Sequence, residues 1–247
     1  DKIYKQLDWD NGLSVAINPK TGEVLALVST PTYDSNDFIK GFSDEAWNKL
    51  NNDKNNPMLV RYQNTYVPGS SFKPITAAIG LTTGKMSAND NKFVSEIQLA
   101  DTGYGQGKVL VNPLHMASMY SAFANEGNMI KPYIEYKENA TAEYWIKNAF
   151  TKEAAKTVRD DMIQTIENVN GTGHEAKING MTLAGKTGTA EIKASQDDDS
   201  GTEIGWFNAF KVSDNPNDQL LIINMIEDVK DRGGSHYLLP KVKTMFE

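Results

Sequence analysis

Cysteine is absent from the 247 residues of this chain. Its absence excludes disulfides, cysteine-based metal sites and a thiol nucleophile. Histidine is scarce as well: His115, His174 and His236 lie far apart and show no H-x-x-x-H spacing, so we expect no metal site and no metal or organic cofactor. Serine, threonine, lysine and the carboxylates remain as the residues that could carry chemistry.

Positive charge is also in short supply. The chain has 25 Lys and Arg against 32 Asp and Glu, a net charge of -7 at pH 7, whereas proteins that bind nucleic acid need basic patches. No stretch approaches 18 consecutive apolar residues, and no signal peptide is visible. We therefore expect a soluble globular domain that does not bind nucleic acid and is long enough to bury a sizeable core.

The most informative segment runs from Tyr66 to Ile79. It places Ser70 after a Pro-Gly turn and before an apolar helical run, with Lys73 three residues later. Positions i and i+3 of a helix lie on one face about 5–6 Å apart, so the lysine amine can reach the serine hydroxyl and act as its base. This S-x-x-K pattern alone also fits an ordinary helix N-terminus with Ser70 as its cap, and a Ser-His-Asp arrangement on Ser70 stays open.

A second motif, K-T-G-T, occupies residues 186–189 of a strand-like segment. S-x-x-K followed by K-T-G is typical of penicillin-binding proteins and class A β-lactamases. Together with Pro68–Pro74, the glycine-rich residues 102–107 and Gly205-Trp-Phe, these motifs resemble the transpeptidase domain of a class B penicillin-binding protein of the low-affinity Gram-positive type. The resemblance runs from about Leu13 to the C-terminus.

The resemblance implies a serine acyl-transfer enzyme. Its catalytic residues would be Ser70, Lys73 and Lys186, with Ser70 as the nucleophile and Lys73 as the base. The substrate would be the D-Ala-D-Ala stem peptide of peptidoglycan, and a β-lactam would acylate the same serine.

The same resemblance implies how the substrate is held. Lys186 and Thr187 would recognise its carboxylate, and the backbone N–H groups of Ser70 and Thr189 would form the oxyanion hole. Gly188 would let the strand approach the ligand closely. We expect Arg61, which precedes the nucleophile, to pack at the surface.

The resemblance also implies a location. Relatives carry an N-terminal membrane anchor and a stalk domain, and act at the extracytoplasmic face of the bacterial membrane in cell-wall synthesis complexes. Because the chain begins at Asp1 instead of Met, we interpret it as an excised soluble fragment of a membrane-anchored parent.

The pattern of elements predicts an α/β (α+β) fold, with a five-stranded antiparallel sheet flanked by helices as in serine β-lactamases and penicillin-binding transpeptidases. The chain would form a single transpeptidase-like domain over residues 1–247, with residues 1–10 as a lead-in. The strand-like segments are 13–18, 23–28, 182–193, 203–211 and 219–228.

One part of the chain departs from the family. Relatives carry a helical lobe with an S-x-N motif after the nucleophile helix, whereas this chain has a short linker at 85–98, too short for several helices. Ser87 and Asn89 spell S-x-N in a polar context that favours coincidence. We therefore expect a missing lobe and impaired turnover.

Two other functions remain open. The first is a catalytically silent binding or scaffold domain that keeps the fold. The second is a serine β-lactamase, which ranks lower because no E-x-x-x-N loop for a deacylating base stands out in the sequence.

Overall fold

The computed structural model describes residues 1–86, 103, 105, 109–138, 141–192, 201–215 and 217–247. Within these ranges the strands are β1 (Gly12–Ile17), β2 (Val24–Thr30), β3 (Met129–Ile130), β4 (Tyr144–Ile146), β5 (Leu183–Ile192), β6 (Thr202–Lys211) and β7 (Leu221–Ile226). The α-helices are α1 (Lys2–Leu7), α2 (Ser35–Lys40), α3 (Asp44–Asn51), α4 (Lys73–Thr82), α5 (Pro113–Ala124), α6 (Lys152–Glu167) and α7 (Leu239–Phe246). Short 3-10 helices cover Arg61–Gln63, Gly69–Phe72, His174–Ala176, Lys230–Arg232 and Gly234–Leu238.

The main sheet has five antiparallel strands in the order β2-β1-β7-β6-β5. Every residue of the central strands β1 and β7 is buried. Strands that are covered on both faces are largely apolar instead of alternating. The composition of these two strands fits this, except for the buried polar residues Ser14 and Asn224. The prediction of a five-stranded antiparallel sheet flanked by helices is confirmed.

Helices cover both faces of this sheet. Residues from α4, α5 and α6 pack with Val15, Trp206 and Ile223 on one face. The other face, with Phe207 and Ile222, packs against α1 and α7. The sheet is therefore the middle layer of the described part of the chain, and its edge strand β5 lies at the boundary of the layer that contains α4.

Local signals explain where the helices begin. The side chain of Asn112 accepts hydrogen bonds from the first N–H groups of α5, and Thr151 does the same for α6. The helix expected after Ser70 is divided into a 3-10 turn, Gly69–Phe72, and α4. Pro74 has no N–H to donate, so it is tolerated only in the first turn of α4.

The ends of the chain meet in space. Residues 1–10, expected as a lead-in, include α1, and its Leu7 is fully buried. Asp10 is buried as well and forms ion pairs with Arg232 and Lys241. The first ten residues are therefore part of the packed fold.

Two of our expectations fall largely outside the described ranges. Of the linker at 85–98 only Lys85 and Met86 are described, and their N–H groups both donate to the carbonyl of Gly80 at the end of α4. Ser87 and Asn89, which spell S-x-N, lie outside the described residues.

Candidate active site

Ser70 lies in the 3-10 turn Gly69–Phe72 and is half-buried. The turn closes locally, because the Ser71 hydroxyl donates to the Pro68 carbonyl at 2.6 Å and the Lys73 N–H donates to the Ser70 carbonyl. Lys73 is the first residue of α4 and is exposed. Ser70 and Lys73 are therefore one turn apart at the start of one continuous helical segment, as the S-x-x-K spacing predicts.

Strand β5 lies directly against this turn at two glycines. A Cβ atom added at Gly188 would be 2.5 Å from the Ser71 nitrogen, and one at Gly69 would be 2.4 Å from the Thr189 carbonyl oxygen. Real Cβ atoms do not come so close, so only glycine fits at either position. Ser70 lies between these two contacts and is therefore next to the Gly188–Thr189 backbone.

The same contacts show which way the backbone of Thr189 points. In an antiparallel strand the N–H and C=O groups of one residue point to the same side. The Thr189 carbonyl lies against Gly69, and among the strands that the structure describes β5 pairs with β6 alone. The Thr189 N–H therefore also points away from β6, towards the turn that carries Ser70.

Lys186 brings a second amine to the site. Its Nζ donates to the Thr187 carbonyl at 2.6 Å. Burial, together with the smaller effect of the positive charge of Lys73, lowers the pKa of Lys186 to about 8. The two lysines are thus close enough to interact, on the same side of β5 as the Ser70 turn.

Thr187 is buried, and its hydroxyl lies 3.0 Å from the hydroxyl of Thr172. Thr172 belongs to the turn that follows α6, to which we had assigned no role. Because 15 residues separate the two threonines, spacing alone gave no reason to pair them. The structure thus adds Thr172 to the residues around K-T-G.

Trp206 anchors the segment before the nucleophile. Its ring is fully buried, its Nε1 donates to the Val67 carbonyl at 3.0 Å, and the ring of Tyr66 packs edge-on against it. Gly69 is held from a further side, since its N–H donates to the Gly105 carbonyl at 2.9 Å. The turn is therefore fixed by β5, β6 and the glycine-rich segment together.

The expectation that Arg61 packs at the surface is wrong. Its side chain is 1 % exposed, with Nε 3.1 Å from a Glu227 carboxylate oxygen and Nη2 2.9 Å from the Asn55 carbonyl. A buried guanidinium needs a carboxylate and carbonyl acceptors. The carbonyl of Asn55 is six residues away in sequence, whereas the carboxylate of Glu227 is 166 residues away and is brought to Arg61 by folding. The buried side chain of Arg61 therefore fixes the segment that precedes the proposed nucleophile.

Two classes of feature are not found in the described part of the chain. No group of three or more His, Cys, Asp or Glu side chains there could hold a metal ion. None of the helices in these ranges is long and apolar enough to cross a lipid bilayer.

Comparison with known proteins gives a consistent result. The model of the penicillin binding protein transpeptidase domain matches residues 12–99 and 89–247. Penicillin-binding protein 3 of Bacillus subtilis is 36% identical over 328 residues, which include all of this chain and 49% of that protein. The peptidoglycan D,D-transpeptidase MrdA of Escherichia coli is 44% identical over 80 residues, 32% of this chain and 13% of that protein. The chain therefore spans about half the length of the Bacillus relative.

Solved structures share the fold. PBPA from Mycobacterium tuberculosis has a TM-score of 0.80 at 20% identity and covers 98% of this chain and 78% of its own. PBP2 of Pseudomonas aeruginosa in complex with WCK 5153 has a TM-score of 0.77 at 21% identity, with 98% and 72% covered. At these identities the likeness concerns the fold alone.

Proposed function

The chain belongs to the penicillin-binding protein transpeptidase family, and we propose that it acts in peptidoglycan D,D-transpeptidation by serine acyl transfer. The observation that carries the proposal is the packing of the Ser70 turn against Gly188 and Thr189, with the Lys186 amine beside it. The low-affinity Gram-positive subtype stays a prediction.

In the proposed reaction, Lys73 accepts the proton of the Ser70 hydroxyl as the serine oxygen attacks the carbonyl carbon of the D-Ala-D-Ala peptide bond. The negative charge on the carbonyl oxygen is held by the N–H groups of Ser70 and Thr189. Lys73 passes the serine proton to the peptide nitrogen as the C–N bond breaks, and the terminal D-Ala leaves with a neutral amine. An amine from a second stem peptide then attacks the acyl carbon and gives up a proton to Lys73, which returns it to the Ser70 oxygen as the ester bond breaks and the crosslink forms.

The substrate carboxylate would be bound by Lys186 and Thr187. A carboxylate close to Lys186 favours its charged form, so binding would raise the lowered pKa of this lysine again. The Thr187 hydroxyl, next to that of Thr172, can donate a hydrogen bond to the same carboxylate. Gly188 would let β5 lie directly against the Ser70 turn, which keeps the Thr189 N–H close to the reacting carbonyl.

The proposed partners are peptidoglycan stem peptides and β-lactams, and we expect no nucleic acid among them. Two relatives support the substrate class by name, as peptidoglycan D,D-transpeptidases from Escherichia coli and Mycolicibacterium smegmatis. We further propose that the parent protein is anchored at the extracytoplasmic face of the membrane and belongs to a cell-wall synthesis complex.

We also propose that the helical lobe is missing and that turnover is impaired. The alignment with the Bacillus relative runs over 328 residues, whereas the chain has 247, so part of that relative has no counterpart here. Loss of the S-x-N side chains would remove hydrogen bonds to Lys73 and to the substrate, and would open the cleft to water.

The experiment that tests this proposal is intact-mass spectrometry after incubation with excess benzylpenicillin. We expect the mass to rise by one drug molecule, and the Ser70→Ala variant to show no increase. A protein that is folded by circular dichroism and forms no adduct after hours would contradict the proposal and support the silent binding or scaffold domain. Rapid hydrolysis of the drug by the wild type would instead support a β-lactamase.

A further inference from the structure

Tyr120, in α5, reaches the residue that follows the proposed nucleophile. Its hydroxyl donates a hydrogen bond to the Ser71 carbonyl, across a sequence separation of 49 residues. The tyrosine is fully buried. Burial raises its pKa above the ordinary value, so the phenol keeps its proton and acts as a donor. The contact ties α5 to the 3-10 turn Gly69–Phe72.

The Ser71 carbonyl is short of a backbone donor in this turn. In a 3-10 helix the carbonyl of residue i accepts from the N–H of residue i+3. For Ser71 that residue is Pro74, and proline has no N–H. Tyr120 therefore supplies a hydrogen bond that the 3-10 backbone cannot make at this position.

Asn208 lies beside the same hydroxyl. It is fully buried in β6, directly across from Lys186 of β5. Burial raises the pKa of the Tyr120 phenol, whereas the side chain of Asn208 lowers it. The amide therefore lies next to the hydroxyl. Neither amide atom of Asn208 makes a hydrogen bond of normal geometry within the described ranges.

The position of Asn208 calls for a physical reason, because a buried amide without good hydrogen bonds costs free energy. The surrounding layer is apolar and includes Trp206 and Ile223. Tyr120 is a polar neighbour of Asn208 in this layer. An amide next to the phenol restricts the orientations of the hydroxyl, and the Ser71 carbonyl then receives its proton.

We propose that Tyr120, oriented by Asn208, is a positioning residue for Ser70. By holding the Ser71 carbonyl, the phenol fixes the 3-10 turn so that Ser70 stays opposite Gly188 and Thr189. This inference rests on the proposed serine acyl transfer and adds two residues that lie outside the S-x-x-K and K-T-G motifs.

The expected effect follows from how tightly the turn is packed. A Cβ at Gly188 would be 2.5 Å from the Ser71 nitrogen, so the strand touches the backbone of the residue whose carbonyl Tyr120 holds. Without the phenol hydroxyl, the peptide group after Ser71 can rotate, and Ser70 shifts relative to the Thr189 N–H. Small displacements of reacting groups reduce rates strongly.

The test compares Tyr120→Phe with Tyr66→Phe. The Tyr66 hydroxyl is also buried, but it makes no hydrogen bond within the described part of the chain, so it is a matched control. Acylation by a fluorescent penicillin over a range of concentrations separates the dissociation constant of the initial complex from the acylation rate constant. For Tyr120→Phe we expect the rate constant to fall about tenfold or more while the dissociation constant stays within about twofold; for Tyr66→Phe we expect neither to change.

A second measurement keeps the inference separate from the proposed function. Amide hydrogen exchange of the peptide containing Gly69–Phe72 should be faster in Tyr120→Phe and in Asn208→Leu than in the wild type, and unchanged in Tyr66→Phe. The Asn208→Leu variant serves if Tyr120→Phe fails to fold.

The possible outcomes are distinct. If the wild type is acylated and the Tyr120 and Asn208 variants match it in rate and exchange, the inference is overturned and the proposed function stands. If the wild type is not acylated, the proposed function fails. Amide hydrogen exchange of Gly69–Phe72 in the variants then still decides whether Tyr120 holds the 3-10 turn.

Discussion

At the scale of single residues, the candidate site depends on glycines that let two backbones touch. Gly69 of the 3-10 turn lies against Thr189 of β5, and Gly188 of β5 lies against Ser71 of the turn, so a side chain at either position would occupy space that is already filled. Gly69 also has φ +54, a conformation that side chains other than glycine rarely adopt. Substitution of either glycine by a residue with a side chain should therefore disturb the site.

We predict that Gly188→Ala abolishes benzylpenicillin acylation. The added methyl would displace the backbone at Ser71, and overpacking of this kind costs roughly 1–3 kcal/mol of folding free energy. Gly103→Ala is the control, because its methyl would lie at a normal 3.5 Å from a Thr76 methyl carbon. Intact-mass spectrometry and thermal unfolding measure the two effects; acylation of Gly188→Ala at the wild-type rate would contradict the assigned packing.

The lowered pKa of Lys186 should make the stability of the folded protein depend on pH. The pKa of Lys186 is about 8 in the folded protein, against an ordinary value of 10.5 for a solvated lysine. Between these pH values the unfolded state binds more protons, so stability rises with pH. Below about pH 8 the buried charge destabilises the fold in full. Folding is therefore opposed by this lysine at neutral pH and less so as the pH rises through the window from 8 to 10.5.

We predict that Lys186→Met raises the unfolding free energy by about 2 kcal/mol at pH 7, with a gain that shrinks above pH 8. Urea denaturation at pH 7 and pH 10 measures the difference. Lys49→Met, at an exposed lysine of α3, should change stability by less than about 0.5 kcal/mol at both pH values. A destabilised Lys186→Met protein at pH 7 would contradict the assigned burial of the charge.

At the scale of elements, the nucleophile turn is held by parts of the fold that lie far apart in the chain. Trp206 of β6 donates a hydrogen bond to the Val67 carbonyl, and Tyr120 of α5 donates one to the Ser71 carbonyl. Side-chain hydrogen bonds therefore hold the backbone on both sides of Ser70. Arg61, buried against Glu227 at the end of β7, fixes the preceding segment. The turn thus has its geometry set by α5, β6 and β7.

We predict that Trp206→Phe destabilises the protein by about 2 kcal/mol, since it removes one hydrogen bond and part of a fully buried ring. Acylation should also slow, because the segment before Ser70 loses its anchor. Trp9→Phe is the control, as Trp9 is 96 % exposed. Chemical denaturation and acylation rates test both effects; equal stability of the two variants would argue against the anchoring role.

Some of these contacts could be predicted and others could not. The i, i+3 relation of Ser70 and Lys73 is local, and K-T-G lies on the strand that its residue types favour, so pattern and spacing were sufficient. Arg61 was expected at the surface, since charged residues are mostly exposed. Its burial depends on Glu227, 166 residues away, and no local pattern contains that information.

At the scale of the whole molecule, the two ends of the chain are joined by a buried carboxylate. Asp10 follows α1, and its oxygens contact Arg232, Lys241 at 3.1 Å and the hydroxyl of Tyr237. The residue after Arg232 leads into Gly234, whose Cβ position would be 3.5 Å from the Thr189 hydroxyl. The N-terminal segment therefore supports the turn that lies behind the K-T-G strand.

We predict that Asp10→Asn lowers the unfolding free energy by about 2 kcal/mol, because it removes the buried carboxylate that forms a charge-assisted hydrogen bond with Arg232 and an ion pair with Lys241, both partly exposed. Asp8→Asn, at an exposed aspartate nearby, should cost less than about 0.5 kcal/mol. Urea denaturation of both variants at pH 7 measures the difference. A similar, small loss for both would show that the cluster contributes little.

The sequence by itself determined the absence of cysteine chemistry, the antiparallel sheet, the family and the identity of the Ser70, Lys73 and K-T-G residues. The first two depend on composition and periodicity, and the family and its candidate residues depend on motifs that resemble those of known proteins. Only the tertiary structure decided that Gly69 packs against Thr189 and Gly188 against Ser71, that Arg61 is buried, and that Tyr120 and Asn208 lie behind Ser71. Each of these contacts joins residues that are far apart in sequence, and sheet order and helix packing, not local propensity, set which of them touch.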